Sequence, residues 1–563
     1  MRQRLVHLLA VAGFASIFTI NSFGNFFVWN DWTLVIENFL IKDWWNLPEI
    51  FTSAFWKPLV GEPSQVYRPL VLLSFMGDFA LWGLNPWGYH LTNTSLHVLN
   101  SVLVYLLMSN YVSPTTALMG SILFAAHPIH IEAVTYISGR GELLMSFFLL
   151  SGTLLFLRSA KQGAKSLYLA SLPLFFFSML AKETAAIFPL FLVAADLTAY
   201  PASARRDVLA RQIGPLAVLG LYFVLRKFFA GITLSAYASS PPDFFSHLLT
   251  VLKAAPLYLG LLLFPLKLHF LHRIDTSPLA GELFLSLFLL MIARWGLRRA
   301  VRSGNRGVAF AILWFLIGLL PLVRFAGLNL PLLEGWIYLA SLGFFLSVAL
   351  ALSCLRGWFP SQFHFWLTVL IAVLLGGMTL KRNEDWKDEL RISLHTIGAS
   401  PDDPVALRLL GNARFRRART DEAEQIFQKA LLLASEEPRL HQSLGQLYSF
   451  LGRDSEALDR YQRMRELTPK DPYPYWRIGR YHWRRKNFAE AERYLAEAVR
   501  LFPTSSEIRN DLANVYYFQG KLDAARAELE AALRISPYSP VLRSNLNGVL
   551  QRKPSSSFPL SPQ

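Results

Sequence analysis

The stretch "HPIHIEAVTYISGR", residues 127–140, carries two histidines, a glutamate and an arginine between two long apolar segments. The length and composition of these flanking segments predict membrane helices over 114–128 and 142–158. Charged groups are costly to keep away from water, so a sequence retains them at membrane depth mainly where they serve a function. The stretch therefore predicts a polytopic membrane fold with a polar site where its helices end.

The composition divides the chain into a membrane part and a soluble part. Of 563 residues, 53% are hydrophobic and 14% are aromatic, including 43 Phe and 15 Trp, which exceeds the usual composition of soluble proteins. Apolar runs alternate with short polar loops to about residue 380, and the remainder is charged and helix-forming. We therefore expect an all-α chain of at least two domains.

The basic balance of the chain is explained by membrane topology. The net charge is +16, with 25 Lys/Arg against 15 Asp/Glu in residues 1–380 and 30 against 24 in residues 381–563. Most of the excess lies in the membrane half, where basic residues are expected in cytoplasmic loops, so nucleic-acid binding is not predicted. The single cysteine, Cys354, excludes an intrachain disulfide and a thiolate metal site, and it does not indicate the compartment.

Eleven segments approach the roughly 20 apolar residues that a helical span requires. The first is interpreted as a retained helix because no small-residue cleavage site follows it. Eleven spans place the clusters of Lys and Arg on one side, which should be the cytoplasm. The predicted spans are 5–25, 92–112, 114–128, 142–158, 165–181, 184–200, 208–229, 279–297, 308–323, 337–356 and 363–380.

The apolar segment 248–270 does not fit this threading. As a twelfth span it would move the later arginine clusters to the opposite face, so we interpret it as a re-entrant or interfacial helix. The odd count places the N-terminus inside and the soluble domain outside. The loops that then share the outer face are 26–91, 127–141, 230–278 and 324–336.

The soluble part is a repeat array with a period of 34 residues. Small residues recur at that spacing, as in Gly411, Gly445, Gly479 and Ala513, and proline closes three of the units. This period, with small residues where paired helices touch, resembles the tetratricopeptide repeat (TPR) and predicts four units from about 404 to 539. Such an array predicts a groove for a partner or acceptor protein, lined here by residues such as Arg408, Tyr475, Trp476 and Arg509.

The outer loops supply the residues that could carry chemistry. Asp31 follows the first span, and Glu132 lies in the second loop. His90, Asn93 and His97, spaced by three and four, share one helical face. Taken singly, each residue has a structural interpretation, as a helix cap, a packing histidine or a snorkelling arginine.

Two carboxylates flanked by cations at a membrane surface suit transfer from an anionic lipid carrier. A carboxylate can deprotonate an acceptor hydroxyl while Arg or Lys stabilises the departing phosphate. The sequence contains no Walker motif, dinucleotide fingerprint or nucleophile elbow, so a soluble nucleotide cofactor is not indicated. The "HPIH" pair alone is weak support for zinc.

One known family combines these motifs in this order. The chain resembles the transmembrane and tetratricopeptide-repeat-containing glycosyltransferases and their bacterial relatives, through "VWNDWTLVIEN", "YRPL", "LWGLNPWGYHLTNTSLH", "HPIHIEAVTYISGRGELL", "AKET", "EGWIYLASLGF" and the 34-residue units. The resemblance covers essentially the whole chain. It implies a GT-C fold, a polyprenyl- or dolichyl-phosphate sugar donor, an extracytoplasmic active site and O-linked transfer onto protein. The eukaryotic members are O-mannosyltransferases of the endoplasmic reticulum.

The resemblance also implies roles for individual residues. Asp31 matches the second acid of the family's first-loop pair and is the expected base for the acceptor. Glu132 matches the second-loop glutamate and is expected to position the acceptor or sugar. Arg68, His127, His130 and Arg140 match motif positions expected to contact the carrier phosphate or the sugar, and Glu334 matches the family's late-loop acid. Two outer-face residues are further candidates for binding the donor, its phosphate or the acceptor, His90 and Lys182.

The chain departs from the family pattern at several positions. Asn30 replaces one of the two first-loop acids, Glu142 stands where relatives read Asp, and Gly335 replaces the arginine expected after Glu334. Arg324 is a candidate substitute for that arginine. The missing acid weakens a proposal of a divalent metal, because hard cations prefer several oxygen ligands, so no metal is favoured.

The sequence thus predicts a GT-C-type bundle of about eleven spans followed by a TPR solenoid. The domains are a membrane domain at 1–380, a linker helix at 381–403, a TPR domain at 404–550 and a disordered tail at 551–563. The predicted activity is hexose transfer, mannose among the candidates, from polyprenyl phosphate to Ser or Thr of a protein. Transfer to a lipid-linked or cell-wall glycan, or a non-catalytic scaffold, remain alternatives. The expected location is a bacterial inner membrane with periplasmic repeats, or the endoplasmic reticulum in a eukaryote.

Overall fold

The computed structural model consists of helices joined by short loops. It describes residues 2–55, 66–199, 206–230, 244–272, 280–321, 332–355, 359, 362–537 and 539–551. Every regular element in these residues is helical, and the bridged pair His272 and Leu332 stands outside any sheet. The chain divides into two compact units, formed mainly by residues 1–399 and 400–563. The prediction of an all-α chain is therefore confirmed.

The first unit contains seventeen described α-helices, several of them preceded by short 3₁₀ turns. In chain order they are α1 Arg2–Ile17, α2 Leu47–Thr52, α3 Pro69–Trp82, α4 Pro86–Met108, α5 Pro114–Ala126, α6 Ile131–Val134, α7 Arg140–Gln162, α8 Lys165–Ala181, α9 Phe188–Ala199, α10 Arg206–Arg211, α11 Ile213–Ala230, α12 Phe244–Leu263, α13 Ala280–Ser303, α14 Arg306–Leu319, α15 Ser341–Cys354, α16 Phe363–Asp385 and α17 Glu389–Ala399.

Five helical stretches of the described residues have the length and apolarity to cross a membrane, which fits a multi-pass membrane protein. They are Arg2–Gly24, Pro86–Met108, Ile137–Gln162, Val208–Ala230 and Phe363–Asp385. A sixth would be the pair Pro114–Ala126 and Pro128–Val134, which is bent by 53°. Shorter apolar helices occupy Pro69–Trp82, Lys165–Ala181, Leu252–Leu263, Arg306–Leu319 and Ser341–Cys354. The count of eleven spans stays a prediction.

Two features of this unit were not foreseen in the sequence. Helix α3 lies inside the predicted first loop, beginning at the Arg68–Pro69 step, where proline suits the first turn of a helix. The segment 248–270 is helical only to Leu263, with Pro256 inside the helix, and its remaining residues run in a non-helical path to His272. That path leads to the polar residues described below. Its re-entrant placement in the membrane stays a prediction.

The second unit consists of helix pairs at the predicted period. Its helices are α18 Pro404–Arg416, α19 Thr420–Leu433, α20 Pro438–Phe450, α21 Asp454–Leu467, α22 Pro472–Arg484, α23 Phe488–Leu501, α24 Ser506–Phe518, α25 Leu522–Ile535 and the capping helix α26 Pro540–Leu550. The recurring small residues lie where paired helices touch: a Cβ added at Gly479 would meet Leu495 Cγ at 2.6 Å. The TPR solenoid is therefore confirmed.

The predicted linker, residues 381–403, contains the end of one helix and a second, separate helix. Helix α16 runs past the predicted end of the membrane domain to Asp385, and α17 forms a separate helix that belongs to the first unit. Residues 552–563, which make up nearly all of the predicted disordered tail, lie outside the described residues, as does Arg324.

Candidate active site

Asp31 joins the first loop to the second. Its side chain is fully buried, and its Oδ1 accepts hydrogen bonds from the Ser138 backbone N at 2.8 Å and from the Ser138 hydroxyl at 2.5 Å. Its Oδ2 accepts from the Val28 backbone N at 3.0 Å. Burial raises the pKa of the Asp31 carboxyl to about 7, and these three hydrogen bonds lower it in part. A carboxyl with such a pKa is suited to take up a proton near neutral pH.

The backbone around Asp31 is irregular. A single π-type turn, Trp32–Ile36, follows it, closed by a hydrogen bond from Glu37 N to Trp32 O at 2.8 Å. Such turns are rare and occur frequently at functional sites. The second loop also closes tightly, since a Cβ added at Gly139 would meet Glu132 O at 2.6 Å. Only glycine fits there, which explains the "SGR" sequence that presents Ser138 to Asp31.

Glu132 and Glu334 form a second group of carboxylates. Glu132 is 4% exposed, and its Oε2 accepts a hydrogen bond from Gly335 N at 3.2 Å. Glu334 is fully buried; its Oε1 lies 3.1 Å from His272 Nε2, and its Oε2 accepts from Arg382 Nη2 at 3.3 Å. The structure therefore brings the second loop, the late loop, the end of α16 and the segment after α12 to one place.

The Arg140 guanidinium is bonded to other residues of the same chain. It is fully buried, and its Nη1 forms an ion pair with Asp78 at 2.5 Å. Its Nε donates to Asn93 Oδ1 at 2.7 Å and its Nη2 to Tyr89 O at 3.0 Å. A guanidinium engaged in this way has no free edge for a phosphate in this conformation. Direct contact with the donor is therefore not the geometry observed, and Arg140 is a positioning residue that ties α7 to α3 and α4.

The histidines of the second loop also make structural hydrogen bonds. His127 Nδ1 accepts from Ile129 N at 3.2 Å and its Nε2 lies 3.1 Å from Leu262 O. His130 Nδ1 lies 2.9 Å from Phe124 O, and its Nε2 lies 2.9 Å from Ser341 Oγ. With both ring nitrogens engaged, these histidines hold the loop against its neighbours.

The two histidines of α4 are also buried. His97, expected as a packing residue, lies 2.8 Å from the Tyr338 hydroxyl and 3.2 Å from Ala125 O. His90 Nε2 lies 3.2 Å from Asn25 O, so it connects α4 to the turn after the first span. Both therefore hold helices and loops together, and in this conformation neither faces an open site.

Lys182 borders a cavity with a largely apolar wall. The cavity encloses roughly 460 Å³ of empty space, part of it open to solvent, and Lys182 faces it beside its ion-pair partner Glu142. Its other lining residues include Met145, Leu149, Ile187, Phe191, Trp336 and Leu339. Arg68, at the start of α3, forms a two-pronged ion pair with Glu183, both bonds being 2.9 Å long. Lys182 and Glu183 are thus partners of other residues and not of each other.

Several residues of this region were missed in the sequence. Ser138, His272 and Arg382 each contact one of the predicted acids, but only the folded chain shows these contacts. The sequence offered one indication that Arg382 could belong to the site, because this residue lies in the charged run "KRNED" that ends the last apolar span. Among the described residues, no three His, Cys, Asp or Glu side chains are grouped as metal ligands would be.

Comparisons with known proteins support the resemblance seen in the motifs. A sequence model of the tetratricopeptide repeat matches residues 477–540. Protein O-mannosyl-transferase TMTC3 of Homo sapiens is 24% identical over 518 residues, which cover 79% of this chain and 53% of that protein. Tmtc3 of Drosophila melanogaster is 24% identical over 612 residues, covering 92% and 66%. Human TMTC2 is 39% identical over 116 residues, covering 19% and 13%.

These matches confirm that most of the chain is similar to the transmembrane and tetratricopeptide-repeat-containing proteins, which bear the name protein O-mannosyl-transferase. The chain spans about half the length of the first of these curated relatives, 53% in the human case. Among solved structures, the TPR protein YrrB, described as having an unusual peptide-binding site, covers 29% of this chain and 85% of its own, with 19% identity and a TM-score of 0.26.

Proposed function

We propose that this chain is a membrane glycosyltransferase. It moves a hexose from a polyprenyl-phosphate donor to a hydroxyl of Ser or Thr in a protein, on the extracytoplasmic face of the membrane. Mannose is the favoured hexose because the related proteins are named O-mannosyl-transferases. In a bacterial cell the membrane would be the inner membrane, with the repeats in the periplasm.

The observation that carries this proposal is the contact between Asp31 and Ser138. The Ser138 hydroxyl lies 2.5 Å from Asp31 Oδ1, in the relation that the hydroxyl of an acceptor would have to a general base. Because burial raises the pKa of Asp31 to about 7, this carboxylate is a stronger base than an exposed one. Catalytic hydrogen bonds often form fully only once substrate is bound, so the acceptor would take a place that Ser138 now fills.

The reaction is a displacement at the anomeric carbon of the sugar. Asp31 takes the proton of the acceptor hydroxyl, and the hydroxyl oxygen forms a bond to C1 of the hexose. The bond between C1 and the phosphate oxygen breaks, and polyprenyl phosphate leaves with the bonding electron pair. Glu132, buried in the neighbouring turn, would orient the acceptor or sugar.

The cavity beside Lys182 suits the carrier end of the donor. Its apolar wall matches an isoprenoid chain, and the Lys182 ammonium, 6% exposed, would replace Glu142 by the phosphate as its partner. Arg68 lies at the adjacent start of α3 and is the second cation suited to the developing phosphate charge. We assign the acceptor protein or a partner to the TPR unit, because solenoids of this kind bind proteins along an extended surface.

The test uses the full chain in liposomes with radiolabelled polyprenyl-phosphate mannose or glucose and a periplasmic protein extract. Label should appear in protein with the wild-type chain and be lost with Asp31→Asn, and Glu132→Gln should reduce it strongly. Glu37→Gln is a matched control, because Glu37 is an exposed carboxylate of the same loop and its variant should transfer normally.

Each other outcome would contradict the proposal in a defined way. Label that enters only the lipid fraction would favour assembly of a lipid-linked or cell-wall glycan. Donor that binds without transfer would favour a non-catalytic scaffold. Transfer by Asp31→Asn at the wild-type rate would refute the assignment of the base.

A further inference from the structure

Four aromatic rings meet beside Asp31, each from a different part of the chain. Trp29 precedes Asp31 by two residues, Tyr136 lies in the second loop, Phe270 follows α12, and Trp386 follows α16 directly. The ring centroid of Trp29 lies 4.1 Å from that of Phe270 and 5.5 Å from that of Trp386. Tyr136 lies 5.3 Å from Trp386 and 6.2 Å from Trp29. We call these four residues the aromatic cluster.

Two members of the cluster are close along the chain to residues that hold the two groups of carboxylates. Tyr136 is two residues from Ser138, which holds Asp31, and four residues from Glu132. Trp386 is four residues from Arg382, whose guanidinium holds Glu334. The charges of Asp31 and Glu132 both act on the Tyr136 hydroxyl, so the cluster adjoins the proposed base and one of the second pair of acids.

The two tryptophans of the cluster carry buried N–H groups that have no acceptor among the described residues. The indole Nε1 atoms of Trp29 and Trp386 have no hydrogen-bond partner among the described residues, and these side chains are 8% and 1% exposed. Buried Trp N–H groups usually find an acceptor, and each exception calls for an explanation. Packing alone does not supply one, since phenylalanine would fill a core without leaving a donor unpaired.

The backbone of Trp29 is strained as well. Its φ is +47°, in the left-handed region that bulky residues rarely adopt. The strain is maintained by Asp31, which bonds to Val28 twice: Asp31 N donates to Val28 O at 3.0 Å, and Asp31 Oδ2 accepts from Val28 N at 3.0 Å. Such outliers concentrate at active sites and ligand clamps. The position of the Trp29 ring is thus coupled to that of the proposed base.

We propose that Trp29 and Trp386 form the hexose subsite of the donor, with their indole N–H groups donating to oxygens of the sugar. A pyranose ring has an apolar C–H face and a rim of hydroxyls, which matches aromatic faces carrying N–H donors. The ring of Phe270, the least buried of the four, lies tilted against that of Trp29 at 4.1 Å between centroids, so a sugar on Trp29 would take its place. This assignment rests on the proposed function and adds the residues that recognise the sugar.

The experiment measures donor binding separately from transfer. The full chain in liposomes is titrated with radiolabelled polyprenyl-phosphate mannose and, in parallel, with polyprenyl phosphate that carries no sugar. Trp386→Phe keeps the ring and removes the N–H group, so it should weaken binding of the mannosyl lipid roughly five- to tenfold and leave the bare lipid unaffected. Trp29→Phe serves as the second variant, with the same expectation.

Trp483→Phe is the matched control. Its Nε1 is likewise buried without a described partner, but it lies in the TPR unit, so its loss should change neither titration.

Equal binding of the mannosyl lipid by Trp386→Phe, Trp29→Phe and the wild-type chain would overturn the subsite, even if transfer occurs. Binding of donor with the expected losses but without transfer would keep the subsite and refute the proposed enzyme. A wild-type chain that binds the mannosyl lipid no more tightly than bare lipid would overturn the subsite.

Discussion

Ser138 gives Asp31 two hydrogen bonds, one from its backbone N at 2.8 Å and one from its hydroxyl at 2.5 Å. The two residues are 107 positions apart, so this contact fastens the first outer loop to the second. It also opposes the effect of burial, because hydrogen bonds to the ionised form keep the pKa of the carboxyl lower than desolvation alone would set it. Ser138 therefore controls the pH range in which Asp31 can act as a base.

The first prediction concerns this control. Only the ionised carboxyl accepts a proton, so transfer should fall as the pH drops below about 7, the value to which burial raises the pKa of Asp31. Ser138→Ala removes a hydrogen bond worth about 1.5–3 kcal/mol to a charged group, and one pKa unit corresponds to about 1.4 kcal/mol. The acid limb of kcat/KM for transfer should therefore move upward by about one to two pH units.

Ser138→Thr is the control for that shift, since it keeps the hydroxyl and should keep the acid limb where it is. The contribution of Asp31 to the free energy of unfolding should depend on pH in the opposite direction to the transfer rate. A folded-state pKa above the unfolded value means that the contribution of Asp31 to stability is fully present below about pH 4 and is lost as the pH rises through about 7. If kcat/KM for transfer had the same pH profile in Ser138→Ala and in wild type, the assignment of Asp31 as the base would be contradicted.

The second prediction concerns the buried charges around Glu334. Among the described residues, Arg382→Gln leaves the Glu334 carboxylate with His272 as its one side-chain partner, and removing one member of a buried ion pair typically costs about 3–5 kcal/mol. The free energy of unfolding in detergent should fall by that order. Adding Glu334→Gln removes the stranded charge and should restore part of the loss. Strict additivity of the two losses would show that the residues do not interact.

The third prediction separates the two members of the ion pair at the cavity. Lys182→Gln should weaken binding of polyprenyl phosphate about tenfold or more, because a phosphate in an apolar cavity needs a cation. Glu142→Gln removes the competing carboxylate and should strengthen binding. Labelled carrier retained on liposomes measures both effects. Lys161→Gln, at the exposed opposite end of α7, should bind normally; equal binding by Lys182→Gln would place the carrier elsewhere.

The fourth prediction tests the small residues of the repeats. Gly479→Ala brings a methyl group within 2.6 Å of Leu495 Cγ, and overpacking of this kind costs about 1–3 kcal/mol. The unfolding midpoint of the TPR unit should fall. Leu432→Ala is the control, since Leu432 is 88% exposed on α19 of the same unit and its truncation should leave the midpoint nearly unchanged. Equal midpoints for the two variants would show that the helix pair is not tightly packed.

Sequence patterns predicted those parts of the fold that depend on regular spacing. The 34-residue period predicted the repeats, and the apolar runs predicted helices of the first unit, because both patterns recur along the chain. Contacts between distant loops have no such period. The pairing of Arg382 with Glu334 and the approach of Phe270 to Trp29 join residues 48 and more than 200 positions apart, so only the folded chain reveals them.

Family motifs identified the acidic residues but did not predict which side chains contact the residues of the site. Asp31, Glu132 and Glu334 could be named because they stand in recognisable motifs, whereas the commitment of Arg140 to Asp78 and Asn93 could not. A motif records which residue type occurs at a position. It does not record whether that side chain faces a substrate or a neighbouring helix, which depends on packing.

The last prediction addresses the arginine that this chain lacks after Glu334. A Cβ added at Gly335 would lie 3.7 Å from Glu132 Oε1 and 3.6 Å from Ala133 N, which are ordinary contacts. A side chain therefore fits at this position and starts next to Glu132. The resemblance predicts an arginine here, and Arg382 already donates to Glu334 in its place, so Gly335→Ala should be tolerated in stability and in transfer.

Restoring the arginine should then compensate for the loss of Arg382. Gly335→Arg introduced into the Arg382→Gln variant should recover a large part of the lost free energy of unfolding and of the lost transfer, because a guanidinium again faces the buried acids. Gly335→Met in the same variant supplies a long side chain without charge and should recover neither. If arginine and methionine had equal effects, the benefit would come from filling space, and Arg382 would not be the substitute for the missing cation.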